Sequence, residues 1–87
     1  MSKCQKLLSK AKNSAKNFRF ADLCKLAECY GWVFDRKDGS HTIYENSELD
    51  LTQGRMQNFQ EVNGEAKQYQ VKQLLAAIEF CKEKDNE

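Results

Sequence analysis

No apolar run in the 87-residue chain approaches the roughly 18 residues that a membrane-spanning helix needs. The lysine-rich N-terminus is followed by no apolar block of the kind a signal peptide carries, so a soluble cytoplasmic protein with no membrane partner is expected. The chain shows no internal repeat and no low-complexity tract. It has one histidine, and no Asp/Glu cluster with metal-ligand geometry is evident. That argues against a two-metal nuclease and leaves neither a metal nor a small-molecule cofactor in the expectation. At this length folding buries only about 60–65% of the unfolded surface, which supports one modest core. A large cofactor-wrapping enzyme is excluded.

Cysteine is better represented, with Cys4, Cys24, Cys29 and Cys81. Two disulfides or a zinc site are conceivable, but the closest pair, Cys24 and Cys29, has the wide end of zinc-ligand spacing and a single histidine to complete it. Without a secretory signal the thiols are expected to stay reduced. Cys24 and Cys81 fall on apolar helix stripes and read as small buried hydrophobes. Cys4 and Cys29 read as exposed and incidental.

The near-neutral net charge of +1 conceals a segregation: residues 1–21 carry six positive charges and no acidic one, and residues 22–87 carry eight positive and thirteen negative. Residues 1–17 read as a basic leader, a flexible arm in which the thin helical stripe of Cys4, Leu7, Leu8, Ala11 and Ala15 allows a short extra helix. Residues 18–87 read as the folded domain.

From Phe20 to Tyr30 the residues Phe20, Leu23, Cys24, Leu26, Ala27 and Tyr30 recur at helical spacing. Asn17 is a candidate cap and Gly31 a stop. The period then changes. Two runs rich in aromatic and β-branched residues, 32–36 and 41–45, flank Lys37-Asp38-Gly39-Ser40, and an Asp-Gly pair in that position signals a hairpin turn in which both residues tolerate positive φ. Residues 46–55 read as a loop with room for a bridge at its centre, 56–62 as a third strand ended by Asn63-Gly64, and 68–84 as a second firm helix with Val71, Leu74, Leu75, Ile78 and Cys81 on one side. The order is α-β-β-β-α, and two helices on one face of a small sheet bury all the apolar stripes. The expected class is α+β in two layers.

His41 begins the second strand directly after Gly39-Ser40, with Arg36 and Lys37 on the other arm. Histidine is the side chain best suited to exchange a proton near neutral pH, the neighbouring cations could hold a phosphate, and the backbone at Gly39 lets a ligand approach. The residues alone also fit an inert hairpin histidine, with Arg36 and Lys37 as a solvated edge.

The stretch Asn17-Phe18-Arg19-Phe20-Ala21-Asp22-Leu23-Cys24-Lys25-Leu26, then Gly31-Trp32, then residues 36–44 with Gly39-Ser40-His41 at their centre, resembles the HicA family of toxins from bacterial toxin–antitoxin pairs. Asn58-Phe59-Gln60 and the helix start Lys67-Gln68-Tyr69-Gln70-Val71-Lys72-Gln73 resemble one branch of it. The resemblance covers about residues 17–80. It implies a double-stranded-RNA-binding-domain-like fold, an mRNA-cleaving endoribonuclease that works without a metal, and a HicB-like antitoxin as partner. The family's catalytic histidine follows Gly-Ser and maps onto His41. This chain departs from the best-known members, which carry Pro-x-His where Asn58-Phe59-Gln60 stands, so that a second histidine's role is absent or taken by an amide. Gln68 also stands where the branch usually has Pro.

RNA cleavage without a metal needs a base for the ribose 2′-hydroxyl, stabilisation of phosphate charge and a proton for the leaving oxygen. His41 is the candidate general base or acid. Arg36 and Lys37, with Gly39 and Ser40, are the candidate phosphate site, and Lys67 and Tyr69 the candidate contacts for backbone or base. Tyr69 packing on the helix start is the plainer alternative. A module that binds RNA or protein without cleavage is the second reading of the chain. Strand alternation leaves one point open: if Ile43 enters the core, His41 faces the helical layer, unless a bulge or a place on the rim exposes it.

Overall fold

The computed structural model describes residues 2–85. Its first element is α1, Lys3–Asn13. The Ser2 hydroxyl accepts from the Gln5 backbone N–H, and the Gln5 side chain accepts from the Ser2 N–H, a reciprocal box that satisfies two N-terminal donors. Leu8 and Ala11 of α1 are part of the main core. Lys10 and Lys12 reach Asp22 and Glu79 at 3.6 and 3.4 Å, and Cys4 is disulfide-bonded to Cys29. The short extra helix that the leader's stripe allowed is therefore present, but docked on the domain rather than a flexible arm, and the two cysteines expected to be reduced and incidental are its staple. Its own apolar stripe is too thin to anticipate this; docking depends on partners far along the chain.

The second helix, α2, spans Phe20–Cys29 and buries Leu23, Leu26 and Ala27. Gly31, at φ 101°, follows the C-cap residue Tyr30 and stops it as expected. Asn17 is not its cap. Asn17 sits in a turn at φ 60°, the N-cap is Arg19 with no side-chain bond, and the Phe20 N–H donates to the Gly64 carbonyl at 3.0 Å.

The sheet contains β1 (Val33–Asp38), β2 (His41–Glu45), β3 (Met56–Val62) and β4 (Glu65–Ala66), all antiparallel in the order β1-β2-β3-β4. The first strand starts one residue and ends two residues beyond the expected 32–36. Asp38 pairs with His41, so the hairpin turn is Gly39-Ser40 rather than Asp38-Gly39. Only Gly39 takes positive φ, 62°, as a two-residue turn with glycine first requires. The fourth strand was not expected. Asn63 and Gly64, at φ 54° and 82°, are not a strand end but the two central residues of a second tight hairpin, in which both are left-handed.

The long 46–55 connection is a loop, as expected, and at its centre, where there was room for a bridge, it holds a 3₁₀ turn at Leu51–Gln53. Gly54 follows it. Its carbonyl accepts from Trp32 Nε1 at 3.1 Å and Gln57 Nε2 at 3.0 Å, which ties the loop to the buried indole. The last helix, α3, spans Gln68–Asp85, one residue longer than its apolar spacing predicts.

The helices and the four-stranded antiparallel sheet make an α+β domain. Tyr44 and Phe59 project from the sheet into a core shared with Phe18, Leu23, Leu26, Trp32, Val71, Leu74 and Ile78. Tyr44 also donates its hydroxyl to Glu28 of α2 at 2.9 Å. Burial pushes that phenol's pKa far above its usual 10.0, and hydrogen bonds with Cys24 and Glu28 add to the rise. The Cys24 thiol is raised as well, mainly by burial. No helix among the described residues is long and apolar enough to cross a membrane.

Candidate functional site

Because side chains alternate along a strand, Tyr44 in the core places Thr42 on the helical side of β2 and His41 with Ile43 on the other side. Ile43 is buried but lies outside the main core cluster, so the premise that would have turned His41 toward the helices does not hold. The cross-strand partners complete this open face. His41 stands opposite Gln60 and Ile43 opposite Asn58 on β3, while Asp38 and Arg36 stand opposite His41 and Ile43 on β1.

His41 is held at both ring nitrogens. Nδ1 is 2.7 Å from Asn58 Oδ1, and Nε2 is 3.3 Å from Gln60 Nε2. Gln60 Nε2 also reaches Ser40 Oγ at 3.5 Å. From Gln60 the network continues into α3: its backbone N–H donates to Gln70 Oε1 at 2.8 Å, Gln70 Nε2 donates to Gln60 Oε1 at 3.3 Å, and the same nitrogen reaches the Tyr69 hydroxyl at 3.2 Å. Gln70 is 3% exposed, a burial that an amide tolerates only with its polar atoms partnered.

The structure thus links His41, Ser40 and Tyr69 through Asn58, Gln60 and Gln70, and separates the rest. A bulge between Phe34 and Arg36 turns Arg36 onto the face of His41, where its guanidinium pairs with Asp35. Lys37 pairs with Thr42 in register and lines a shallow hollow with Phe20, Gly39, Ser40, Thr42 and Glu61. Arg36 and Lys37, expected to act together on one phosphate, therefore face opposite sides of the hairpin. Lys67 and Tyr69 line a hollow at the start of α3 with Gln68 and Lys72. Tyr69 is 54% exposed, so it is available for stacking rather than packed on the helix start.

Sequence reasoning named Asn58-Phe59-Gln60 as a departure from a family pattern but did not place its two amides on His41. The signal was there: Asn58 and Gln60 are two apart on the strand next to β2, and period two puts both on one face. Gln70 carried no such signal, because its approach to β3 depends on how α3 leaves β4. Among the described residues no group of three or more His, Cys, Asp or Glu is arranged to hold a metal ion. The chain matches no protein-family model, no curated protein and no solved structure.

Proposed function

We propose that this protein is the toxin of a HicA-type pair: an endoribonuclease that cuts mRNA without a metal, uses His41, and is neutralised by a HicB-like antitoxin. In this reading its α-β-β-β-α portion is arranged as in a double-stranded-RNA-binding domain. The observation that carries the proposal is the placement of the chain's single histidine, on the open sheet face beside a two-residue turn and fixed at both ring nitrogens. General-base catalysis requires an imidazole held in a defined orientation within reach of the proton it takes, and that is what these two bonds supply.

The chemistry follows from one proton acceptor. His41 takes the proton of a ribose 2′-hydroxyl, the 2′-oxygen attacks phosphorus, and the P–O5′ bond breaks to leave a 2′,3′-cyclic phosphate; the departing 5′-oxygen takes its proton from water. Arg36 lies on the same face to meet the phosphate charge. Tyr69, joined to His41 through Gln70 and Gln60, stacks a base in this reading, and Lys67, which lines the same hollow as Tyr69, contacts the backbone.

A second reading, an RNA- or protein-binding module without catalysis, draws on a specific observation: the resting Nε2 is covered by the Gln60 amide and Arg36 is engaged with Asp35. Incubating the purified protein with single-stranded RNA, with and without chelator, separates the two. The enzyme reading expects chelator-resistant cleavage that His41→Ala abolishes while the circular dichroism and melting of the variant match the parent. Binding without cleavage supports the module.

A further inference from the structure

The hydrogen-bond chain through His41 has a direction, and it can be read from one unambiguous end. The Gln60 backbone N–H can only donate, and its acceptor at 2.8 Å is on the side chain of Gln70. That atom must be Gln70's oxygen, so the other end of the same amide is its NH₂, which donates to Gln60 Oε1 at 3.3 Å. Gln60 therefore turns its own NH₂ toward His41. A ring nitrogen facing an NH₂ group at 3.3 Å must offer a lone pair, because two donors facing each other make no bond. Nε2 is thus the unprotonated nitrogen of the neutral ring, and Nδ1 carries the proton. The far end agrees: Nδ1 lies 2.7 Å from the Asn58 carbonyl oxygen, an acceptor for that N–H.

We infer that Asn58 is a positioning residue for His41: it holds the imidazole in the Nδ1–H tautomer and makes Nε2 the atom that accepts a proton from substrate. The role rests on the ribonuclease reading given above, whereas the tautomer does not. Gln60 acts at the other nitrogen. In the resting protein its NH₂ occupies the Nε2 lone pair, and substrate must displace it; Ser40 Oγ at 3.5 Å is a second acceptor for the same NH₂, so displacement does not leave the amide without a partner. A 2′-hydroxyl arriving at Nε2 replaces one donor by another, which is the exchange a general base requires.

The test exploits the single histidine, which gives one imidazole in the nitrogen spectrum of ¹⁵N-labelled protein. At a pH where the ring is neutral, long-range ¹H–¹⁵N correlations of the RNA-free parent are expected to show Nδ1 protonated and Nε2 unprotonated. An Nε2–H pattern overturns the inference even if the protein cuts RNA. Asn58→Leu removes one of the two groups that set the tautomer and is expected to admit a fraction of the Nε2–H form, and Asn58→Leu/Gln60→Leu, which removes both, to mix the two forms freely; Asn58→Asp restores an acceptor and should restore the Nδ1–H pattern. In the cleavage assay Asn58→Leu is expected to lower kcat by about tenfold, the scale of one net hydrogen bond, with KM unchanged, and Asn58→Asp to recover most of it. An unchanged kcat in Asn58→Leu overturns the positioning role. Undiminished cleavage by His41→Ala overturns the assignment of the cleavage to His41, and no cleavage by the parent overturns the ribonuclease reading; either result leaves the tautomer to be judged by the spectrum alone.

Discussion

Opening the Cys4–Cys29 bridge removes a constraint on the unfolded chain, and its size follows from the 25-residue sequence separation of the two cysteines. Loop-closure entropy for a ring of that length is worth about 3.5 kcal/mol at 25 °C. The folded contacts of α1 are not removed by reduction: Leu8 and Ala11 stay buried, and the Lys10–Asp22 and Lys12–Glu79 pairs remain. Those two pairs are surface ion pairs, each worth at most about 1 kcal/mol, so they cannot replace the bridge. A domain of this size loses about 4–8 °C in Tm per kcal/mol. Reduction is therefore expected to lower the melting temperature by about 15 °C or more. Thermal and urea unfolding of the parent with and without dithiothreitol, beside a Cys4→Ser/Cys29→Ser double variant, read the effect. The double variant should match the reduced parent and ignore reductant. Thiol titration of the unreduced, denatured protein should find two reactive thiols, from Cys24 and Cys81. Equal unfolding of all three samples, with two thiols titrated in the parent, would refute the entropic argument; four thiols would refute the bridge itself.

Two glycines in left-handed turns are expected to differ sharply on substitution by alanine. A Cβ on Gly54 would sit 2.5 Å from the Ala77 Cβ and 2.9 Å from Gln57 Nε2, so Gly54→Ala adds overpacking to backbone strain and should cost roughly 2–5 kcal/mol in urea unfolding. Gly39 also has positive φ but nothing within 4 Å of its would-be Cβ, and Gly39→Ala should cost only about 1–2 kcal/mol; equal costs would show that the Gly54 contact is relieved by movement. Stability should also fall at high pH through Tyr44. Its folded pKa lies above the unfolded 10.0, so the folded state holds the proton more tightly, and the contribution is fully present below about pH 10 and lost as pH rises above it. Tyr44→Phe, which has no proton to lose, should flatten that part of the stability-against-pH curve; a parallel fall in both proteins would assign the loss to other groups.

What could be read from the sequence alone divides by the range of the interaction responsible. The strand 56–62 and the start of α3 at residue 68 were legible because period two and period 3.6 are local signals, written within a few residues. The second hairpin was equally local, since Asn-Gly between β-compatible residues is a turn signal in its own right; it was missed because only Glu65 and Ala66 follow before the helix, too few for a strand pattern. The docking of α1 was not local. Its lysines find Asp22 and Glu79, and its cysteine finds Cys29, and none of these pairings can be inferred from spacing along one helix. The face occupied by His41 was undecidable for a related reason. The sequence offers Ile43 and Tyr44 as neighbouring core candidates, and only the packing of Tyr44 against Phe59 at 5.7 Å between ring centroids, with Glu28 on its hydroxyl, settles which of them points inward.

The charge segregation along the chain takes a different meaning once α1 is docked. An arm with five uncompensated cations could swing to wherever RNA lies, but a helix seated on α2 and α3 cannot. Two of its lysines are committed to Asp22 of α2 and Glu79 of α3, where they offset part of the acidic excess of residues 22–87. Those helices cover the sheet face that carries Tyr44 and Phe59, whereas His41, Asn58 and Gln60 lie on the other face. The cations of α1 are therefore on the wrong side of the sheet to meet a phosphate at His41 in the same molecule. Any charge stabilisation at that site must come from Arg36 and from the Lys67 and Lys72 side of α3, against Asp35 and Asp38 on the neighbouring strand. On the proposed ribonuclease reading, so few local cations predict a shallow salt dependence of RNA affinity, with discrimination resting on how a base seats on Tyr69 and how its ribose meets the Nε2 of His41, rather than on the overall charge of the chain.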